Sequence, residues 1–481
     1  MTGDWLEQPR TRWIVFCLIV GFFAITNLPW TLDDYDQAKQ AYTSFEMVGQ
    51  GHWLYQHTPN ESVATKPPLV GWISAALFEV TRWWEGAWRI PSLAAALALL
   101  WLIARDATSA YGIGAGLIAL SAFGLNLLSP RLATLVRTDM PLALVTFLIG
   151  RQIWLKIRRA EAWTPRDRVV AFVLLANAML IKGPIIYAFI LPGLIVYQLL
   201  RKKRGFPSGW SGWWPWILSL GIFLAWAIGG IMNEPGFYES VVVREFAGRF
   251  TETIHKPQPI YFYLPHLLHK FAPWSLLIIA LAVAFWRQRE RVRMRPETLW
   301  LVCWSVGGLI LMSIIPSKRV DRIFPIVPPL CLLLGAQVAS AARIDGWTAK
   351  LRLWLAAGLI FACIFTAGYA AWKIGSAYHA RRDALVQFSR RVRQEAGQHG
   401  WRYAVVGGRE EGMLLYLRRD HFLAPNDAAR QWNSGQLDAL VVRNQPVHPW
   451  LELLPGAQLQ FISEKSEAAP QYSLFVRAKA L

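Results

Sequence analysis

The sequence predicts an all-α polytopic membrane protein with a small soluble α/β domain at its C-terminal end. Three observations carry this. Hydrophobic residues make up 54% of the 481-residue chain and charged residues only 17%, less charge than a soluble domain of that length carries. Apolar runs of about 18 to 20 residues recur, the length that crosses a bilayer. From about Ala380 onward the composition turns to that of a small soluble domain.

About eleven spans account for the runs. They cover residues 13–30, 89–103, 113–128, 140–155, 169–181, 185–200, 214–231, 274–286, 299–315, 324–341 and 353–372. Asp4, Glu7, Arg10 and Arg12 precede the first run without a small-residue cleavage site, so it reads as a retained anchor. Drawn this way, the strongly basic loops 156–168, 201–204 and 287–295, with Arg343, fall on one side. Basic loops mark the cytoplasmic side, which makes the N-terminus cytoplasmic and the C-terminal domain periplasmic in a bacterial inner membrane. The net charge of +19 therefore follows topology and does not indicate nucleic acid. The 26 tryptophans suit interfacial belts, with sugar stacking as a minor use. Cys17, Cys303, Cys331 and Cys363 all lie in predicted spans and read as core filling.

The division expected is a transmembrane domain over 1–375, with its first outside loop at 31–87, and a soluble domain over 376–481. In the loop, residues 37–48 read as a short amphipathic interfacial helix. Pro67-Pro68 opens a second helix, 69–80, too short to span. In the soluble domain, 384–396 reads as a helix and 403–406, 439–442 and 472–476 as strands. Gly407-Gly408 reads as a plain turn rather than a phosphate-binding one.

The outside loops differ in kind from the inside ones. They mix acids, bases, histidines and aromatics, and ionisable groups held at membrane segments tend to mark function. The first loop offers Asp36, Lys39 and Lys66, with Asp36 and Lys39 on one face of a helix. Asp33 and Asp34 read as helix caps or solvent-facing groups. Arg137 and Asp139, in RTDMPL, are either an Arg–Asp pair closing a helix start or a functional pair. Lys182, Lys256, Lys318, Arg319 and Arg322 form a basic group that suits a lipid-linked phosphate or else snorkels to headgroups. His52, His57, His255, His266 and His269 can meet a divalent metal with Glu46 or Glu61, but no spacing is that of a metal motif and no metal is assigned. Tyr261, Phe262, Tyr263 and Trp274 suit an interfacial belt or a stacked sugar.

A family resemblance rests on these same residues. Asp36-Gln37-Ala38-Lys39 with Phe45-Glu46-Met47, Lys66-Pro67-Pro68-Leu69, Arg89-Ile90-Pro91-Ser92, Asp139-Met140-Pro141-Leu142, Lys182-Gly183-Pro184 and Pro273-Trp274-Ser275 occur in that order. Over about residues 13 to 340 the chain resembles the GT-C glycosyltransferases of the protein O-mannosyltransferase and aminoarabinose (lipid A) transferase superfamily. The resemblance implies a GT-C membrane fold with periplasmic interfacial helices. It implies a polyprenyl-phosphate-sugar donor, and a lipid, glycan or protein acceptor outside the cytoplasmic membrane. Asp36 takes the place of the catalytic aspartate and Asp139 that of the second one. Lys39 and Lys66 take the places of donor-phosphate ligands, joined by Arg137, Lys182, Lys318 and Arg319 from the loops above. Two departures stand out: Gln37 replaces a glutamate, and Thr65 replaces the glutamate that helps hold a metal in the aminoarabinose transferases. A monomer is expected. The rival readings are an oligosaccharide ligase and a lipid-linked sugar flippase, the second of which would place its charges inside the spans.

Overall fold

The protein is described by a computed structural model covering residues 5–32, 34–59, 63–249, 257–287, 294–345, 348–408, 410–444, 452, 454–467 and 469–478. The readings placed on Asp33, Glu61, His255 and Lys256 fall outside these residues. The chain is a multi-pass α-helical membrane protein that ends in a small four-stranded sheet. It divides into two units that are each discontinuous in sequence. One holds residues 1–26, 65–70 and 91–370, and the other holds 27–64, 71–90 and 371–481.

Seven helices among the described residues are long and apolar enough to cross a bilayer: Ala87–Tyr111, Asp139–Arg159, Ile185–Arg204, Trp214–Asn233, Pro296–Ile314, Val320–Ile344 and Ala349–His379. The other predicted spans are helical as well, at Pro9–Ile25, Ile113–Gly124, Pro165–Lys182 and Trp274–Arg287. They are shorter or more polar, and Trp274–Arg287 meets Ile260–Lys270 at a bend of 103°.

In the first unit, packing depends on small residues where helices touch. A Cβ on Gly307 would fall 2.5 Å from the Gly193 nitrogen, so the Ile185–Arg204 and Pro296–Ile314 helices approach backbone to backbone. Large aromatics fill the rest. Trp300 and Trp304 are fully buried, and the Trp300 indole N–H donates to the Gly150 carbonyl at 3.0 Å. A charge at span depth is costly unless paired, and Arg151 grips Asp106 through two nitrogens, one at 2.8 Å.

In the second unit, strands β1 (Tyr403–Val406), β2 (Ala439–Arg443), β3 (Ala457–Ile462) and β4 (Tyr472–Arg477) form one sheet in the order β1-β2-β4-β3. β1 and β2 run parallel, and β4 is antiparallel to both its neighbours. The parallel step needs a crossover, which the helices Glu411–Leu417 and Pro425–Asn433 supply. The three predicted strands appear within a residue of their expected ends. β3 was missed because none of its residues is buried and it is bulged between Leu459 and Phe461, which blurs alternation. At the Gly407-Gly408 turn a Cβ on Gly408 would lie 2.3 Å from the Phe422 ring, so this glycine serves packing. The predicted loop helices are Tyr35–Gln50 and Leu69–Thr81.

Candidate functional site

The first unit gathers its charges where a helical hairpin brings two helix ends together. Asp139 lies in the first turn of Asp139–Arg159, and Lys182 in the last turn of Pro165–Lys182. The two helices follow one another with a short connection, so a start and an end share one face. An acid at a helix start and a base at a helix end each complement the helix dipole. The side chains meet: Lys182 Nζ donates to Asp139 Oδ1 at 2.5 Å. Both are largely buried, at 13% and 10% side-chain exposure, where an unpartnered charge would be costly.

Around this pair the described cations outnumber the described acids. Lys66, Arg137 and Arg322 lie within electrostatic reach of it. Arg137 and Arg131 both donate to Asp321, at 3.0 and 3.1 Å. Lys270 is held below the ordinary ammonium range by burial and then by Arg131. Among the described residues, six cations (Lys66, Arg131, Arg137, Lys182, Lys270, Arg322) and two carboxylates (Asp139, Asp321) are linked in this way. A surplus of this kind in partly desolvated surroundings attracts a phosphate.

Sequence reasoning did not single out Asp321 or Arg131. Asp321 is the buried anion that holds two arginines in place, and only its position inside SKRVDR hinted at it. Two predicted phosphate ligands have other surroundings. Lys318 is 5% exposed, its amine donates to the Gln258 carbonyl at 2.9 Å, and burial pushes it below the usual ammonium range. It pins residue 258 to the 316–318 turn, where the Gln258 N–H also donates to the Pro316 carbonyl. Arg319 is half-buried at the entry of the Val320–Ile326 turn. Of the aromatic group, Tyr263 and Trp274 are fully buried and cannot stack on a sugar. Tyr261 is exposed.

The second unit contains further residues singled out from the sequence. Asp34 caps the Tyr35–Gln50 helix by accepting from the Asp36 N–H at 3.0 Å. Asp36 follows in the first turn, half-buried, where the helix dipole favours its charge. Lys39, one turn on, holds its amine 5.9 Å from the centre of the Tyr35 ring. Gln37 is buried and accepts from Arg89, which also donates to the carbonyls of Trp30 (2.7 Å) and Thr31 (3.1 Å). Arg89 of the Arg89-Ile90-Pro91-Ser92 motif therefore anchors the start of the loop. The C-terminal segment packs on the same helix: the Leu32 N–H donates to the Tyr416 hydroxyl and the Tyr42 hydroxyl to the Asp420 carbonyl. Glu411 is buried and lies within electrostatic reach of Lys39.

Metal-holding capacity can be tested at two places. The resemblance puts a metal-holding glutamate at position 65. Thr65 offers only a neutral hydroxyl there, a poor ligand for a divalent ion, so that position does not fit one. Farther along the Tyr35–Gln50 helix, Glu46, His52 and His57 bring one ligand atom each to within 4.8 Å of one another.

No protein-family profile matches the chain. It is 27% identical over 354 residues to "Undecaprenyl phosphate-alpha-4-amino-4-deoxy-L-arabinose arabinosyl transferase 1" of Sodalis glossinidius, covering 69% of this chain and 60% of that one. It is likewise 27% identical over 363 residues to the corresponding transferase of Aeromonas salmonicida, covering 70% and 63%. The chain thus spans about 60% of the length of the curated relatives it matches. Among solved structures it is similar to ArnT from Cupriavidus metallidurans bound to undecaprenyl phosphate, with a TM-score of 0.65 and 18% identity, over 95% of this chain and 97% of that one. The fold is that of ArnT, and the resemblance read from the motifs is borne out.

Proposed function

We propose that the protein is a membrane glycosyltransferase. It moves a monosaccharide from a polyprenyl-phosphate donor to a lipid A-like, glycan or protein acceptor on the periplasmic face of a bacterial inner membrane. The observation that carries this reading is the buried Asp139–Lys182 pair with Lys66, Arg137 and Arg322 within electrostatic reach of it. The relatives add the chemical class, since those this chain resembles carry the name of an undecaprenyl-phosphate sugar transferase.

The reaction breaks the bond between the sugar's anomeric carbon and the donor phosphate oxygen. It forms a bond from that carbon to an acceptor hydroxyl oxygen. The polyprenyl phosphate leaves with the bonding electrons, and cations that neutralise the departing charge lower the barrier. Lys66, Arg137, Lys182 and Arg322 take that task, with Lys39 a further donor-phosphate ligand. Asp139 acts through Lys182 by fixing its amine. Asp36 is the general base: it takes the acceptor hydroxyl's proton as attack proceeds opposite the phosphate, which inverts the anomeric centre.

The test uses tag-free protein in detergent with a synthetic polyprenyl monophosphate monosaccharide and lipid A. Release of polyprenyl phosphate together with a glycosylated acceptor is expected. Failure to consume that donor with lipid A, glycan or peptide acceptors sinks the proposal. Turnover of a pyrophosphate-linked oligosaccharide in its place identifies a ligase.

A further inference from the structure

We propose that Glu46, His52 and His57 form a binding site for one divalent transition-metal ion, best matched by zinc. This does not depend on the transfer reaction and uses none of the residues assigned to it.

Local structure builds the site from both directions. The Tyr35–Gln50 helix ends at Gly51, which takes a left-handed conformation (φ 83°) that a side chain would strain. The chain turns back there, so His52 folds over Glu46, and its Nδ1 meets Glu46 Oε1. The following segment closes on itself: the Ala64 N–H donates to the Gln56 carbonyl at 2.7 Å, and His57 pairs with Val63 as an isolated antiparallel bridge. That closure brings the second imidazole alongside the first, with ring centres 4.2 Å apart.

The donor set points to a metal rather than to a simple ion pair. Glu46 is only 2% exposed, and its second oxygen, Oε2, is buried without a hydrogen-bond partner. A Glu–His pair needs one imidazole, yet two converge on this carboxylate. Protonated, they would repel each other beside it; neutral, they direct ring nitrogens toward the same space. One cation answers both features by taking a carboxylate oxygen and two imidazole nitrogens. Zinc binds such sets at about 2.0 to 2.2 Å and keeps a fourth position for water. His52 leaves 45% of its side chain exposed, which gives ion and water a route in. The ligand atoms need only draw together from their 4.8 Å spread.

The site lies ten residues beyond Asp36 on one helix, about 15 Å along its axis at 1.5 Å per residue. At that distance the ion touches no reacting atom. Its role is to clamp the far end of this helix to the residues around His52 and His57 and so hold the helix that carries Asp36 and Lys39.

The experiment uses the full tag-free chain in detergent, stripped with a chelator and dialysed against zinc chloride. The expected result is about one zinc retained per chain and a higher Tm with zinc than without. His57→Ala and Glu46→Gln should each lose most of the zinc and the whole zinc-dependent rise in Tm, while keeping the wild-type elution volume and helix content. Should those variants fail to fold, cobalt added to wild-type protein decides the matter through the visible absorption of four-coordinate cobalt with nitrogen and oxygen ligands. Zinc retention no greater in wild type than in a folded His57→Ala, no zinc effect on Tm, or no such cobalt spectrum overturns the site.

Discussion

The charges around Asp139 and those on the Tyr35–Gln50 helix answer opposite demands. In the first region the two described carboxylates are buried and gripped: Asp139 by Lys182, and Asp321 by Arg131 and Arg137. In the second, Asp36 stands half-buried in the first turn of a helix, where the helix dipole favours its charge. A carboxylate that must orient cations can be locked away. A carboxylate that must take a proton from an arriving hydroxyl has to stay reachable. On the proposed mechanism the two environments suit different roles: Asp139 positions and Asp36 reacts.

The sharpest way to break that contrast is at Asp36. Asp36→Asn should cut transfer by about 10²- to 10⁴-fold, the usual contribution of a general base, and leave the protein folded and inserted. Near-normal turnover would strike it from the mechanism. The opposite signature is expected at Lys182. Lys182→Met leaves Asp139 buried and unpaired and should cost about 3 kcal/mol or more of stability, seen as a lower Tm in detergent. The double variant Asp139→Asn/Lys182→Met should recover much of that loss without recovering activity. Restored activity would reduce the pair to scaffolding.

A smaller effect separates ligands from pins. Lys66→Ala should raise the donor KM about tenfold, as loss of one charge-assisted hydrogen bond does, with the Tm little changed. An unchanged donor KM would make Lys66 structural. Lys318→Ala should do the reverse, costing about 1 kcal/mol of stability through the lost bond to Gln258 and leaving donor KM alone. A shifted donor KM there would return Lys318 to the phosphate site.

The smallest effect is one of pH. Burial holds the Glu411 carboxyl above its ordinary range. The folded state therefore keeps that proton more tightly than the unfolded chain does, and this contribution to stability is lost as pH rises through the folded value. Glu411→Gln should raise the Tm at neutral pH, with the gain shrinking toward about pH 4, where the unfolded carboxyl also protonates. A gain that does not vary with pH would point to packing.

Much of this was legible in the chain. Apolar length located helices at every predicted span, because a bilayer imposes its thickness on local sequence. Asp34 as a cap and the two loop helices followed from short-range chemistry. Asp139 and Lys182 were both picked out, but their pairing, 43 residues apart, was not. Lys318 looked like its basic neighbours, and nothing local distinguishes an amine that meets a backbone carbonyl from one left for a phosphate. Tyr263 and Trp274 suited an interfacial belt or a stacked sugar, and only packing shows them fully buried.

By itself, the sequence determined which segments are helices, which residues carry charge at their ends and which family they resemble, since hydropathy, capping and motif order are local properties. Tertiary structure alone decided which charges meet. It paired Asp139 with Lys182, gave Asp321 two arginines, joined the first loop to the C-terminal segment within one unit, and drew Glu46, His52 and His57 together. Partnership between side chains far apart in the chain is fixed by helix packing and chain reversal, and single-residue chemistry does not encode it.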